Sequence, residues 1–322
     1  MKNYLFAILL IIPFTSCFKF HATRNNNDRR DDRLFLKRKI SNDAIERLKN
    51  TTTVFFLNSE DNDKNDAIKK AISSAWTLTP IIFDDIVNIP LYASSSQYSY
   101  FIIEAHKMII RTTNLGNFQN THYYLALRIF NESGEKTGKK NVTGLCRIEL
   151  YPDFPTIDLM NQGKSSMETL LKIYNEGSFY NWAPIHFQAH LANVETNLQA
   201  NIRPWHYEKV KTKGLKKRLV NDTLYIPKEQ LVSYNYYSGK DYKGFDADKV
   251  VSKYKYNYRV CDEAELYQIF EEEKRGRFLF EYVKSTIDKH VIVHDVKDRK
   301  IVYKEYSSRP HRLKGKDFRK IR

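Results

Sequence analysis

Glycine and cysteine are scarce in this chain, and both shortages exclude classes of function. Among 322 residues there are 11 glycines, and none of them builds a G-x-G-x-x-G dinucleotide turn, a Walker loop or a G-x-S-x-G nucleophile elbow. The 3 cysteines, Cys17, Cys146 and Cys261, have no zinc-finger spacing. The sequence also lacks an apolar run of the roughly twenty residues that a membrane-spanning helix needs.

The longest apolar run lies at the N-terminus and has the form of an export signal. Lys2 precedes apolar residues from Leu5 to Phe14, and Thr15-Ser16-Cys17 then leads into polar sequence. About ten apolar residues are too few to cross a hydrocarbon layer roughly 30 Å thick, so a removed signal over residues 1–17 is favoured over an anchor. The small residues before Cys17 resemble the lipobox of bacterial lipoproteins, although Phe14 replaces its usual leucine. The resemblance implies acylation of Cys17 and an outer-membrane lipoprotein that faces the periplasm or the surface; a plainly secreted protein is the alternative.

The net charge of +15 is concentrated in three segments. Residues 18–50 carry ten basic and five acidic side chains, residues 203–218 carry seven and one, and residues 307–322 carry seven and one. We interpret them as a basic flexible leader, a basic connector and a basic tail. Each basic residue near an anionic membrane contributes about 1 kcal/mol without fixed geometry, so this pattern favours contact with the bacterial membrane over nucleic-acid binding. Solvated tails that only keep the chain soluble are the alternative.

Hydrophobic periodicity predicts an α/β (α+β) fold made of two copies of a mixed-sheet α/β unit with a helical insert between them. The first unit spans residues 51–150 and the second spans residues 219–306. In each unit, a strand and a helix lead into an aromatic residue and further strands. The insert and connector fill residues 151–218, where Pro184 begins a helix whose residues Phe187, Leu191, Val194 and Leu198 form one apolar stripe.

Short matching motifs support this tandem duplication. Asp66-Ala67-Ile68-Lys69-Lys70 aligns with Asp246-Ala247-Asp248-Lys249-Val250, and the segment from Tyr100 to Glu104 aligns with the segment from Phe278 to Glu281. We therefore expect the two units to share one order of elements, with the Pro184 helix packed across their junction.

Several of these segments resemble exported proteins of Bacteroidota. The resemblance rests on the signal with Cys17, on Ala75-Trp76-Thr77 and on three C-terminal stretches: Tyr282–Ser285, Val291–Asp295 and Lys300–Tyr303. It implies a lineage and supports export, and it carries over no catalytic or binding residue.

His186 and His190 are the best candidates for metal ligands in the sequence. An i, i+4 pair on a helix projects both imidazoles to one side, as a zinc site requires. A third ligand is missing, because Glu195 points roughly 140° away from His190 at 100° per residue. Adjacent Asp84 and Asp85 point to opposite faces of a strand. We therefore expect structural roles for these residues, and no cofactor.

Tyrosines and cysteines supply the remaining candidates. A tyrosine-rich stretch is the strongest candidate for a binding surface if its side chains face outward, and it is core if they face inward; its members are Tyr234, Tyr236, Tyr237, Tyr254, Tyr256 and Tyr258. Cys146 and Cys261 form a disulfide in an oxidising compartment, or else they are two buried thiols.

The export signal with Cys17 and the lack of known catalytic motifs together predict a non-enzymatic lipoprotein of the cell envelope. Such a protein binds a partner or helps to assemble a complex. Its partners would be the membrane and an envelope protein or glycan. A hydrolase that acts on an envelope polymer through a spatially assembled site is one alternative. A carbohydrate-binding module that uses the tyrosines is the other.

Overall fold

The computed structural model describes residues 21–23 and 39–322, apart from 58–61, 94, 113–115, 131–141, 163–165, 205–206, 236–237, 241, 287 and 309–311. The predicted signal with Cys17, most of the basic leader, Tyr236 and Tyr237 lie outside the described residues. Within them, no helix is both long and apolar enough to span a bilayer.

The described part of the chain contains twelve strands and ten α-helices. The strands are β1 (His21–Thr23), β2 (Thr52–Leu57), β3 (Ile81–Asp85), β4 (Tyr98–Thr112), β5 (Gly116–Phe130), β6 (Val142–Leu150), β7 (Val210–Lys211), β8 (Leu224–Pro227), β9 (Tyr258–Cys261), β10 (Phe278–Lys284), β11 (Asp288–Asp295) and β12 (Lys300–Ser308). The helices are α1 (Asn42–Lys49), α2 (Asn62–Ala75), α3 (Ile89–Tyr92), α4 (Phe154–Gln162), α5 (Ser166–Glu176), α6 (Pro184–Gln199), α7 (Leu215–Asn221), α8 (Ala247–Val251), α9 (Glu263–Tyr267) and α10 (Gly315–Lys320).

The two sheets have the same plan. The first runs β3-β2-β4-β5-β6, with β1 beside β4, and the second runs β9-β8-β10-β11-β12, with β7 at its far edge. In both, the first three strands in space are parallel and the following ones are antiparallel. Helix α2 joins β2 to β3, as α8 joins β8 to β9. The prediction of two mixed-sheet α/β units is confirmed.

Helix α6 lies between the units. Its stripe of Phe187, Leu191, Val194 and Leu198 is buried, and its main neighbours are α2 in the first unit and β12 in the second. Glu195 accepts hydrogen bonds from the backbone and hydroxyl of Thr77 at 2.8 and 2.6 Å. Because twelve of its sixteen residues are buried, α6 is an internal helix that holds the two units together.

Local capping explains where the second unit's helices begin. The Asp246 side chain accepts a hydrogen bond from the Lys249 backbone at 2.9 Å, and Asp262 forms a reciprocal capping box with Glu265. Such caps satisfy amide groups that the first helical turn leaves without partners. Helix α9 continues into a π-helical turn over Gln268–Glu272, where Ile269 and Phe270 reach the core.

Parts of the three basic segments form helices. The end of the leader forms α1, whose Ile45 and Leu48 are buried, and part of the connector forms α7. The C-terminal segment forms α10, where Phe318 is buried and stacks on Phe280 with ring centroids 4.8 Å apart. Charge counting missed these elements because a few apolar residues among many lysines and arginines are enough to fix one helical face.

Candidate functional site

Two histidines and a glutamate meet where α6 packs against the sheet of the second unit. Nε2 of His190 lies 2.8 Å from the Glu281 carboxylate, and Nε2 of His294 lies 2.7 Å from its Oε2. One ligand-type atom from each residue lies within 4.8 Å of the others. His190, Glu281 and His294 are 8, 0 and 1 % exposed. We call these three residues the His-Glu-His centre.

Three elements bring the centre together. Residues 279 and 294 face each other across the antiparallel β10–β11 pair, so Glu281 and His294 are diagonal neighbours on one sheet face, within reach of long side chains. His190 approaches that face from α6. The two imidazole rings lie 4.7 Å apart at 83°. A carboxylate only accepts hydrogen bonds, so each imidazole donates from Nε2 when Glu281 is ionised.

A second layer of amides orients the centre. Asn181 donates to Glu281 Oε1 at 2.7 Å and to the Glu149 carbonyl at 2.9 Å. His186 lies one turn before His190 but pairs with the Gln230 amide at 2.9 Å instead. Nδ1 of His186 and Nδ1 of His294 are buried and have no hydrogen-bond partner in the described part of the chain. Protein groups therefore hold the carboxylate firmly but leave some imidazole nitrogens unused.

Burial and charge act against each other in this centre. Burial raises the pKa of Glu281, but the positive charges and hydrogen bonds of His190 and His294 outweigh that effect and hold it well below its ordinary value. Burial lowers the pKa of His294, although its bond to Glu281 opposes the change. Burial also lowers the pKa of His186 to about 4. The carboxylate is thus ionised, with its charge balanced by neighbouring imidazole groups.

The structure separates the two histidines that the sequence paired. His190 joins the centre, whereas His186 belongs to the Gln230 hydrogen-bond network. Glu195 stays away from His190, as its helical angle predicted, and binds Thr77. The Asp84 carboxylate accepts from Tyr92 at 2.5 Å and from Asn88 at 2.8 Å, so its role is structural.

A basic pocket lies on the surface of the second unit, between α8, α10 and the loop that precedes α8. The pocket has a volume of about 540 Å³, and Asp246, the helix cap, is the one acidic residue of its lining. The Arg312 guanidinium lies 3.3 Å from the centre of the Tyr242 ring. Gly315 starts α10 here because a Cβ at this position would lie 2.5 Å from Lys253 Cγ. Seven exposed basic residues line the pocket: Lys243, Lys249, Lys253, Arg312, Lys314, Lys316 and Arg319.

Some lysines elsewhere on the surface are paired with carboxylates, whereas the pocket cations have no such partner among the described residues. Lys49, Lys69 and Lys172 each lie within 3.4 Å of a carboxylate on the same helix. None of the seven pocket cations forms an ion pair with another residue that the structure describes. The pocket therefore concentrates positive charge that ion pairs within the described part of the chain do not neutralise.

A buried lysine lies below the pocket. Lys284 donates to the Tyr234 carbonyl at 2.5 Å, and its Nζ lies 5.9 Å from the centre of the Tyr242 ring. Burial, reinforced by the charge of Arg312, lowers the pKa of Lys284 to about 7. Its charge is therefore sensitive to its surroundings near neutral pH.

The described members of the tyrosine-rich stretch do not share one exposed face. Tyr234 and Tyr254 are buried, Tyr256 is half-buried, and Tyr258 is 40 % exposed. Strand β9 begins only at Tyr258, so Tyr254 and Tyr256 lie outside it. Tyr234 instead donates to the Pro152 carbonyl at 2.6 Å, which makes it a core residue.

The possible disulfide between Cys146 and Cys261 is absent, since both residues are buried free thiols. They belong to separate apolar clusters, Cys146 on β6 and Cys261 at the end of β9. Burial raises the pKa of Cys146 to about 12 and that of Cys261 to about 11. Both thiols are therefore inert packing groups.

Compared with known proteins, the chain matches no family model, no curated protein and no solved structure. The two candidate sites therefore rest on the geometry of this chain.

Sequence reasoning missed Glu281 and His294 because they are 91 and 104 positions from His190 in the chain. A usable signal existed in the predicted strands. Pairing β10 and β11 as a hairpin places Glu281 and His294 on one face, and the polar flank of the Pro184 helix supplies His190. The basic pocket was also missed, because its residues come from the second unit and from the C-terminal tail, which were interpreted separately.

Proposed function

We propose that this chain is an exported, envelope-associated binding protein whose basic pocket holds a partner rich in phosphate groups. The observation that carries the proposal is the set of seven exposed cations around one pocket, none of which has a carboxylate partner among the described residues. Positive charge in a concave site attracts anions and raises their local concentration. A volume of about 540 Å³ lies within the range of pockets that enclose small ligands.

The chemistry of the lining favours phosphate over a neutral sugar. Lysine is a compact point charge that binds phosphate from several directions, while arginine adds planar donors. Five of the seven cations are lysines. Stacked on Tyr242, Arg312 keeps its guanidinium at the rim of the pocket. A phospholipid headgroup and a soluble phosphate polymer share this chemistry.

A triple substitution tests the pocket. We expect Lys243→Gln, Lys249→Gln and Lys316→Gln together to weaken binding about 100-fold, at about 1 kcal/mol per lysine. Binding is measured by cosedimentation with phosphatidylglycerol vesicles and by fluorescence titration with soluble polyphosphate, so that the two arms distinguish a membrane from a free polymer.

The matched control is a second triple variant with Lys49→Gln, Lys69→Gln and Lys172→Gln. It removes the same charge from lysines that already have carboxylate partners. We expect less than a threefold change in this variant. Equal weakening of both variants would reduce the effect to net charge and contradict a specific pocket.

Export to the envelope and lipid anchoring are a separate part of the proposal, and the lipobox-like sequence at Cys17 supports them. Metabolic labelling with a fatty acid should mark the chain and should fail in a Cys17→Ala variant. Unchanged labelling, or no labelling of either protein, would remove the lipid anchor and leave the pocket proposal intact.

Neither alternative function fits the sites as well. A polymer hydrolase needs substrate access to its carboxylate, but Glu281 is 0 % exposed. A carbohydrate-binding face needs exposed aromatic rings, and Tyr234 and Tyr254 are buried.

A further inference from the structure

We propose that His190, Glu281 and His294 form a binding site for one divalent transition-metal ion, with Zn²⁺ as the best match. This site lies where α6 packs against the sheet of the second unit and is independent of the basic pocket. Metal binding at this site does not depend on an anion in the basic pocket.

The ligand set selects the class of metal. Two imidazole nitrogens and one carboxylate oxygen are typical ligands of zinc and its neighbours in the first transition row, whereas Ca²⁺ and Mg²⁺ prefer oxygen ligands alone. Both imidazoles already direct Nε2 towards the same carboxylate, at 2.8 and 2.7 Å. For a metal ion to bind both Nε2 atoms, each neutral imidazole carries its single ring proton on Nδ1, so the change is one of tautomer and needs no other proton acceptor.

Preorganisation favours binding without a large rearrangement. The three ligand atoms already lie within 4.8 Å of one another, and metal–ligand distances of about 2.0–2.2 Å are reached by small side-chain shifts. Asn181 fixes Glu281 from behind through a 2.7 Å hydrogen bond to Oε1. His190 is the most exposed of the three ligands, at 8 %. A water molecule completes the fourth position.

The outer shell limits the affinity. A ligating histidine usually donates its second ring nitrogen to an acceptor, and loss of such a partner typically costs 10–100-fold in affinity. Nδ1 of His294 has no partner among the described residues. We therefore expect weaker binding than in structural zinc sites with complete outer shells.

Cobalt titration of the full chain tests the site. Metal-free protein should bind one equivalent of Co²⁺ and develop the visible absorption of a four-coordinate site, and Zn²⁺ should displace it. Glu281→Gln keeps the shape but removes a charged ligand, so we expect at least 100-fold weaker binding. His294→Asn is the second variant and should act in the same direction.

Glu104→Gln is the matched control, since Glu104 occupies the corresponding strand of the first unit and pairs with Arg128 at 2.6 Å. Its affinity for Co²⁺ should stay within threefold of the original. Circular dichroism checks that each variant is folded. Absence of stoichiometric binding by the unaltered chain, equal binding by a folded Glu281→Gln or His294→Asn variant, or thiolate charge-transfer bands would each overturn the site.

Discussion

The two units share their strand order but use the carboxylate of their third strand differently. In the first unit, Glu104 on β4 binds Arg128 on β5 through two hydrogen bonds of 2.9 and 2.6 Å. In the second, Glu281 on β10 meets His294 on β11 and His190 from α6. An arginine stays protonated and offers no lone pair, whereas an imidazole can bind a proton or a metal. The same strand order therefore holds a permanently charged arginine pair in the first unit. In the second unit it holds the His-Glu-His centre, whose imidazoles can bind a proton or a metal.

Burial explains why the difference matters. The side chains of Glu104 and Arg128 are 26 and 14 % exposed, whereas Glu281 is fully buried. Solvent weakens the first interaction, but it cannot replace the partners of Glu281 if they are lost. The covered carboxylate thus depends entirely on the residues that α6 and β11 bring to it.

The largest expected effect is on stability when the two carboxylates are removed. We predict that Glu281→Ala lowers the free energy of unfolding by about 3–5 kcal/mol, because it leaves Asn181, His190 and His294 without their acceptor. Glu104→Ala should cost less, about 1–2 kcal/mol, since the Glu104–Arg128 pair keeps partial contact with solvent. Urea unfolding of both variants measures the difference, and equal losses would contradict the contrast between the units.

The second prediction concerns Lys284, the buried lysine of the second unit, and the pH dependence of the free energy of unfolding. The pKa of Lys284 is about 7 in the folded chain and 10.5 as its ordinary value. Between pH 7 and pH 10.5, Lys284 is protonated in the unfolded chain but largely unprotonated in the folded chain. The free energy of unfolding therefore rises with pH. Lys284→Met should remove this rise, which amounts to a few kcal/mol, and should stabilise the protein at pH 7.

The measurement is urea unfolding at intervals from pH 7 to 10. Lys49→Met is the control, because Lys49 is exposed and paired with Glu46. Identical pH slopes in the original chain and Lys284→Met would show that Lys284 stays charged in the fold.

A smaller effect concerns the polar contact between the units. His122 on β5 lies 3.7 Å from Glu149 and 3.5 Å from Asp288 of the second unit. Burial lowers the pKa of His122, but hydrogen bonds to Asp288 and Glu149 outweigh it and raise the pKa above 6.5. Its stabilising effect is therefore complete below pH 6.5 and is lost as the pH rises through the folded value.

His122→Gln should accordingly reduce stability by about 1–2 kcal/mol at pH 6, and by less at pH 9. Comparing urea unfolding of the variant and the original chain at the two pH values measures this change. A difference that grows from pH 6 to pH 9 would contradict the assignment.

Local signals in the sequence predicted most of the fold. Alternating apolar residues located the strands of both units, Asp246 and Asp262 located helix starts, and Pro184 located α6. The shared motifs also predicted the repeated order of elements. These features depend on neighbours in the chain, which periodicity and capping rules describe.

The sites were less predictable because they depend on distant residues. His190 was identified as a candidate, but its partners come from another unit's hairpin, and no spacing rule joins them. The helices α1, α7 and α10 were missed because they lie in segments that were interpreted from their basic charge alone. Phe318 fixes α10 by contact with Phe280, which is a tertiary interaction that charge counting does not detect.

The most direct test of metal binding at the His-Glu-His centre is anomalous X-ray scattering at the zinc absorption edge. The crystals are of the full chain, grown with one equivalent of Zn²⁺. The account predicts one dominant anomalous peak within about 2.0–2.2 Å of Glu281 and both histidine Nε2 atoms. A dominant peak elsewhere, or none at this position, would contradict it.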